Sequence, residues 1–114
     1  MKGKPLLPTL RTKKRYVVYE VISEKEIEHN NVVRAIVASF KECFGIFGLG
    51  KAGITDMRIY NRKTKRAILK INHKYVDNLR AAFAMIKEID NQKAIVHTIG
   101  ISGILRKTKV KYMS

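Results

Sequence analysis

The sequence predicts an α/β fold of the α+β sandwich type, with elements in the order β-α-β-β-α-β. Three observations point to it. Short runs rich in β-branched and aromatic residues alternate with longer segments in which apolar residues recur every three or four positions. Glycine, asparagine and aspartate separate these segments. The chain has 114 residues, which is enough for one hydrophobic core but not for two.

The first half of the chain predicts one strand and one long helix. The run Tyr16–Ile22 is β-branched and aromatic, as strands are. Ser23 and Glu26 have the spacing of a capping box, which predicts a helical turn beginning at Ser23. The main helix is predicted over about residues 31–44, with Gly45 as its stop. Its apolar face carries side chains at helical spacing: Val33, Ile36, Val37, Phe40 and Phe44.

A basic hairpin is predicted next. Residues 45–53 contain four glycines and predict a loop after the main helix. Strands follow at about residues 56–61 and 66–71, and the short basic turn between them predicts that they pair as a hairpin.

The remaining elements complete the order. Asn72 can cap a second helix that extends to about Ile89. Asp90 and Asn91 predict a turn, and residues 94–101 predict the last strand. This order is that of a ferredoxin-like, or RRM-like, domain, in which both helices cover one face of a four-stranded antiparallel sheet.

Prolines and charge divide the chain into three parts. Pro5 and Pro8 lack amide donors, so residues 1–14 are predicted to be an extended basic arm. Residues 15–103 are the predicted RRM-like α/β domain, and residues 104–114 are a basic C-terminal tail.

The charge is the most informative part of the composition. Lysine and arginine number 24 against nine acidic residues, which gives a net charge of +15 and a pI near 10.2. Most of the cations fall in three stretches that contain no acid, residues 1–15, 58–74 and 106–111. Self-repulsion on this scale destabilises a compact free protein, so a polyanionic partner is expected. Nucleic acid fits better than an anionic membrane, because the sequence shows no basic amphipathic helix.

The composition also predicts a compartment. Cys43 has no second cysteine to pair with and is expected in the core, and a lone cysteine favours a reducing environment. The first fifteen residues lack the apolar stretch of a signal peptide, and no segment reaches the length of a membrane span. We therefore expect a cytoplasmic protein with no membrane contact.

No catalytic or metal-binding motif is visible. Residues 48–53 spell G-x-G-x-x-G, but a predicted helix precedes them and a strand follows, which is the reverse of a dinucleotide site. The three histidines lie far apart in the sequence, and their spacing indicates neither a zinc site nor a nucleophile–base pair. We expect no catalytic residue and no cofactor bound by this chain.

The hairpin supplies candidate RNA contacts from charge alone. An RRM domain stacks bases on aromatic residues of its third strand, whereas residues 66–71 contain no aromatic residue. Cations in and before this strand indicate contacts to phosphate instead. The predicted contacts are Lys63, Lys65 and Arg66.

The end of the chain supplies a second group of candidates. Gly100 and Gly103 permit close approach of the backbone to a phosphate. The cations that follow them are predicted RNA contacts: Arg106, Lys107 and Lys109.

Three segments together resemble one family. These are LLPTLRTKKRYVVYEVIS near the start, the stretch from Phe44 to Gly53, and HTIGISGILRKTKVKYMS at the end. They are similar, over nearly the whole chain, to the Pop-five family of protein subunits of archaeal and eukaryotic ribonuclease P.

The resemblance implies a function and a set of partners. It implies a noncatalytic subunit of an endoribonuclease that removes the 5′ leader from pre-tRNA, with the chemistry and the Mg²⁺ on the RNA subunit. The implied partners are ribonuclease P RNA, pre-tRNA, a TIM-barrel-like protein subunit and the other ribonuclease P proteins.

The resemblance also implies site residues. The family's basic arm matches Arg11, Lys13, Lys14 and Arg15, and its C-terminal motif matches Gly100, Gly103 and Arg106. For the protein partner we nominate apolar residues beside the glycine-rich stretch, for which core packing is an equally open alternative: Ile46, Phe47 and Leu49.

Two other functions remain open from the residues. Charge and size equally permit a ribosomal or other structural RNA-binding protein. A small phosphohydrolase of the acylphosphatase type would need an arginine cradle and a positioned asparagine near the first strand. Only Arg11 and Arg15 lie there, outside any glycine-rich loop.

Overall fold

The computed structural model describes residues 13–113, in which strands and helices follow the order β-α-β-β-α-β-β-α. Arg11 and most of the predicted basic arm lie outside the described residues. No helix of residues 13–113 is long and apolar enough to cross a membrane.

Five strands form one antiparallel sheet in the order β2-β3-β1-β5-β4. Their bounds are β1 Lys14–Ser23, β2 Thr55–Asn61, β3 Arg66–Asn72, β4 Glu88–Ile89 and β5 Gln92–Ser102. The predicted hairpin is the pair β2–β3. The prediction of four strands was wrong, because β4 adds a two-residue edge strand to β5.

The extra strand follows from the turn that the sequence did predict. Asp90 and Asn91 both have positive φ, 53° and 64°, as the two central residues of a type I′ hairpin require. The second helix was predicted to continue to Ile89 because Ile86 and Ile89 extend its apolar spacing. They are buried, but they belong to the hairpin segment that follows the helix.

Three helices accompany the sheet: α1 His29–Ala52, α2 Val76–Met85 and α3 Leu105–Tyr112. A 3-10 turn, His73–Tyr75, precedes α2, and the Asn72 side chain accepts a hydrogen bond from the Lys74 amide, as predicted for a cap. The helical turn predicted at Ser23 is absent from the described chain, because the Ser23 hydroxyl donates to the Lys25 carbonyl in an irregular segment.

Gly45 interrupts α1 without ending it. Its φ of 78° and ψ of 174° are non-helical, so the helix changes direction there. The helix then resumes to Ala52 and is capped by Gly53 in the left-handed conformation. The loop predicted over residues 45–53 is therefore mostly helix, and Leu49 and Ala52 of this part pack against the core.

The main core lies between the sheet and helices α1 and α2. Alternate residues of β1 face it, namely Val17, Tyr19 and Val21, because side chains alternate along a strand. Phe40 of α1 is fully buried and packs on Phe44, with ring centroids 5.0 Å apart. Cys43 is exposed, so its expected place in the core was wrong.

The opposite face of the sheet is also covered. Val18 and Ile68 are neighbours across β1 and β3 and are fully buried, although they lie outside the main core. Helix α3 contacts β1 and β5, and its Thr108 is fully buried. The two predicted helices, α1 and α2, share the main core on one face, whereas α3, which was not predicted as a helix, lies on the other. The predicted basic tail forms α3, so the sheet lies between α3 on one face and α1 and α2 on the other.

Candidate nucleic-acid interface

Helix α3 separates an apolar underside from a basic exposed side. Thr108 is buried and its hydroxyl donates to the Ile104 carbonyl at 2.8 Å, so this hydroxyl is satisfied under the helix. The exposed side carries four cations: Arg106, Lys107, Lys109 and Lys111. The helix is about 12 Å long, since each residue adds about 1.5 Å. It presents these four charges within about two helical turns.

Two side chains of the hairpin hold the C-terminal end of α3. Arg66 donates from Nη1 to the Tyr112 carbonyl at 3.1 Å, and Asn61 donates from Nδ2 to the Met113 carbonyl at 2.8 Å. The last carbonyls of a helix have no partners within the helix and carry partial negative charge, so a guanidinium there is favourable. Arg66 Nε also lies 3.6 Å from a carboxylate oxygen of Glu20.

Gly100 is where the helix lies closest to the sheet. A Cβ built on Gly100 would lie 2.2 Å from Cζ of Tyr112, well inside van der Waals contact. Gly100 is the cross-strand neighbour of Val18, so the Tyr112 ring extends the cover over the outer face. The sequence predicted that a phosphate approaches the Gly100 backbone closely; in the protein alone, the Tyr112 ring makes that close approach. A contact between Gly100 and RNA stays a prediction.

The N-terminal end of α3 meets the start of β1. A Cβ built on Gly103 would lie 3.5 Å from Nη1 of Arg15, so the guanidinium rests against this turn. The same Nη1 donates to the Lys14 carbonyl at 3.0 Å. Lys13 and Lys14 are exposed beside it. Arg15 therefore adjoins the first turn of α3, whereas the Lys14 ammonium lies at the end of α1, 3.3 Å from a Cβ built on Gly53.

The tip of the hairpin lies at the other end of α3. An open surface depression of about 430 Å³ is lined by Ile59, Tyr60, Asn61, Arg62, Lys63 and Met113. Lys63 is exposed, and Lys65 is half-buried with its carbonyl accepting from the Val21 amide at 3.0 Å. Lys63 therefore extends the row of cations beyond the C-terminal end of the helix, whereas Lys65 lies beside Tyr19 and His29 at the edge of the main core.

These contacts join three clusters that are far apart in the sequence. We call the surface they form the basic strip; it comprises Arg15, Lys63, Arg106, Lys107, Lys109 and Lys111. Among the lysine and arginine side chains of residues 13–113, only Arg62 and Arg66 form ion pairs with acids. The charge of the strip is therefore not neutralised by described acids.

The structure distinguishes among the predicted residues. Arg66 was predicted as an RNA contact from charge, but its donors face Tyr112 and Glu20. Lys111 was missed as a candidate, although it lies four residues after Lys107 and therefore on the same side of the helix. The signal was present in the spacing once the tail is read as a helix.

The residues nominated for a protein partner also differ from one another. Ile46 and Phe47 are 66% and 85% exposed on the turn of helix that follows Gly45. Leu49 packs against the main core, so for Leu49 core packing is the structural role. Large exposed apolar side chains side by side are typical of interaction surfaces.

A polar cluster lies at the edge of the main core. His29 Nε2 lies 3.1 and 3.2 Å from the two carboxylate oxygens of Asp56, and its ring stacks on Tyr60 at 5.0 Å. Burial, reinforced by the negative charge of Asp56, raises the pKa of the Tyr19 phenol far above its ordinary value. Burial also raises the pKa of Tyr60, with a further contribution from Glu26.

This polar cluster has a structural role. The pair of His29 and Asp56 ties the start of α1 to the edge strand β2. No group of three or more His, Cys, Asp or Glu side chains within residues 13–113 could hold a metal ion.

The fold and the basic strip together define a class: a small α+β protein with one strongly basic face. Comparison with known proteins gives the family. The family model described as "Rpp14/Pop5 family" matches residues 15–113, and the chain belongs to this family.

Curated relatives agree along the whole chain. Ribonuclease P protein component 2 of Thermococcus gammatolerans is 34% identical over 113 residues, covering 99% of this chain and 93% of the relative. The protein of the same name from Pyrococcus abyssi is 33% identical over 114 residues, covering 100% and 96%. A chain in the cryo-EM structure of yeast ribonuclease MRP superposes with a TM-score of 0.66 at 18% identity, over 84% of this chain and 78% of that one, which shows a shared fold.

Proposed function

We propose that this protein, as a noncatalytic subunit of ribonuclease P, binds and stabilises the catalytic RNA that removes 5′ leaders from pre-tRNA. The family and the names of its relatives support the assembly. One observation supports the mode of action: α3 joins three separate cation clusters into the basic strip.

Phosphate neutralisation is the physical basis of the proposal. Folded RNA brings phosphates close together, and their repulsion opposes the active shape. A fixed array of cations lowers this repulsion and releases counterions, which favours binding strongly at low salt. Because the strip is presented by a helix packed on a sheet, its charges are ordered before the RNA arrives. Such contacts recognise backbone shape and carry little sequence information.

Base stacking on the sheet has no support in this structure. The central positions of the outer face, Val18 and Ile68, are covered and fully buried. The element that covers them is α3, which carries cations in place of aromatic residues on its exposed side. The five-stranded sheet with α1 and α2 is thus proposed as a scaffold for α3, with RNA outside the helix.

The remaining roles follow from the resemblance and the surface. We assign the cleavage chemistry and its Mg²⁺ to the RNA subunit. We assign the exposed pair Ile46 and Phe47 to the interface with a protein partner, the TIM-barrel-like subunit. The lone cysteine and basic charge support a cytoplasmic particle that takes pre-tRNA as substrate.

The test is the salt dependence of RNA binding. The double variant Lys107→Ala with Lys109→Ala should weaken binding to the ribonuclease P RNA of the same organism. The plot of log affinity against log salt should become shallower by about 1.4–1.8, since each lost phosphate contact contributes about 0.7–0.9. Reconstituted pre-tRNA cleavage should then require more Mg²⁺.

The matched control removes the same charge elsewhere. Lys41 and Lys87 are exposed and lie outside the basic strip, on α1 and directly after α2. Lys41→Ala with Lys87→Ala should leave the slope close to that of the unmodified protein. Equal slopes for the two double variants would overturn the proposal, as would recovery of ribosomal RNA alone with the purified protein.

A further inference from the structure

We infer that Asn61, Arg66 and Gly100 are positioning residues for RNA binding: they fix α3 on the sheet and act on RNA only through its cations. The inference rests on the proposed function and adds the residues that set the geometry of the strip. It also assigns to Arg66 a role that differs from the one its charge predicts.

Arg66 is committed to partners within the protein. Its Nη1 donates to the Tyr112 carbonyl, and its Nε faces Glu20 at 3.6 Å. Its side chain is 30% exposed, compared with 73% for Arg62 on the same hairpin. To contact a phosphate, Arg66 would have to break its hydrogen bond to the Tyr112 carbonyl and move away from the Glu20 carboxylate.

Glu20 determines where the Arg66 guanidinium lies. Arg66, Glu20 and His97 are direct cross-strand neighbours on β3, β1 and β5. Glu20 Oε1 lies between Arg66 Nε at 3.6 Å and His97 Nε2 at 3.7 Å. This row crosses the outer face next to the row of Ile68, Val18 and Gly100 that α3 covers. The ionic row therefore borders the apolar row under the helix.

The other two residues fix the same end of the helix by different means. Asn61 donates to the Met113 carbonyl while its Oδ1 accepts from the amide of Lys63, so it links α3 to the turn of the hairpin. Gly100 leaves the space that the Tyr112 ring occupies. Lys111 stands 5.3 Å from the centre of that ring, so a displaced ring would carry a strip cation with it.

A double-mutant cycle on RNA affinity tests the inference with the full chain. The first change is Arg66→Gln and the second is Lys107→Ala with Lys109→Ala; the ligand is ribonuclease P RNA of the same organism. A positioning residue matters in proportion to the α3 cations that it positions. Arg66→Gln should therefore weaken binding about tenfold alone and by a clearly smaller factor in the background that lacks Lys107 and Lys109, because interacting sites are not additive.

Arg62→Gln is the matched control. It removes the same charge from the same hairpin, but Arg62 pairs with Glu26 and makes no hydrogen bond to α3 within residues 13–113. Its effect on affinity should be equal in both backgrounds. If Arg66→Gln were also additive, Arg66 would contact RNA directly and the inference would fail.

Hydrogen exchange in the RNA-free protein separates this failure from that of the proposed function. Arg66→Gln and Asn61→Ala should each speed amide exchange in residues 108–113, with the urea midpoint nearly unchanged. Unchanged exchange in both variants would overturn the inference. If Lys107→Ala with Lys109→Ala bound RNA as tightly as the unmodified protein, the proposed function would fail and the inference with it. If that double variant weakened binding as expected but its effect were additive with that of Arg66→Gln, only the inference would fail.

Discussion

The two faces of the sheet are both covered, but by different kinds of chemistry. On one face α1 and α2 bury a large apolar core whose buried strand residues come from β1, β3, β4 and β5, with Tyr60 of β2 packed against it. On the other face the eight-residue helix α3 covers a small apolar area around Val18 and Ile68 and carries cations on its outside. The first face supplies stability. The second uses a modest apolar contact to hold charge in a fixed arrangement.

The difference shows how a protein with a net charge of +15 can fold around one core. The cations of the basic strip lie on the α3 side and at the ends of the sheet, so none of them has to be buried in the main core. Stability and charge presentation are therefore separable, and substitutions on the two faces should have different consequences.

The largest effect on stability is expected on the main core. Phe40→Ala removes a fully buried ring that packs on Phe44, so the free energy of unfolding should fall by about 3–5 kcal/mol. Guanidinium denaturation followed by circular dichroism measures this loss. RNA binding should weaken only in proportion to the unfolded fraction.

A phenylalanine on the surface provides the contrast. Phe47→Ala should change the free energy of unfolding by less than about 0.5 kcal/mol, because the side chain is 85% exposed. The same variant should weaken capture of the TIM-barrel-like subunit. Equal destabilisation by the two substitutions would contradict the assignment of Phe40 to the core and Phe47 to an interface.

The α3 face should respond to a single added methyl group. In Gly100→Ala the new Cβ occupies the space of the Tyr112 ring, which must move out and lose its packing. The expected cost is about 1–3 kcal/mol. Amide exchange of α3 should rise and RNA affinity should fall, while the exchange of α1 and α2 stays unchanged.

Gly50→Ala is the matched control for that change. A Cβ at Gly50 meets nothing within 4 Å, and alanine is favoured over glycine in a helix by about 1 kcal/mol. Gly50→Ala should therefore be neutral or stabilising. The docking of α3 would be wrong if Gly100→Ala behaved in the same way.

The two faces also differ in how far the sequence could predict them. Period-3.6 and period-2 patterns identified the four longer strands and placed Ile36, Phe40 and Phe44 on the core face of α1, because many apolar residues repeat there. The predicted face was inexact, since Val32 is buried in place of Val33. On α3 the inward positions are Leu105, Thr108 and Tyr112, whose helical spacing is hidden by four cations and a polar threonine. The same spacing argument would have found the helix only if the threonine had been counted as a buried position.

The sequence predicted where the candidate site lies better than it predicted the role of each residue in it. Charge alone identified the hairpin and the end of the chain, and the structure brings both together. Charge could not distinguish Arg66, which faces a helix carbonyl, from Lys63, which faces solvent. That difference depends on the register of β1 with β3 and on the path of α3, which are long-range features.

An effect confined to high pH is expected at the polar edge of the main core. Burial holds the Tyr19 phenol protonated in the folded protein, while the unfolded chain releases this proton near pH 10.0. Unfolding therefore releases a proton above that pH, and this residue's contribution to the free energy of unfolding should decrease by about 1.4 kcal/mol per pH unit. Below pH 10 the contribution is constant.

The hydroxyl has no hydrogen-bond partner among the described residues, so Tyr19→Phe should be tolerated at neutral pH and should keep the ring contact with Phe83. Denaturation of both proteins from pH 8 to pH 11 measures the difference, which should grow in favour of the phenylalanine variant only above pH 10. A constant difference across that range would show that the phenol is solvated, and the main core would then be open to water at this edge.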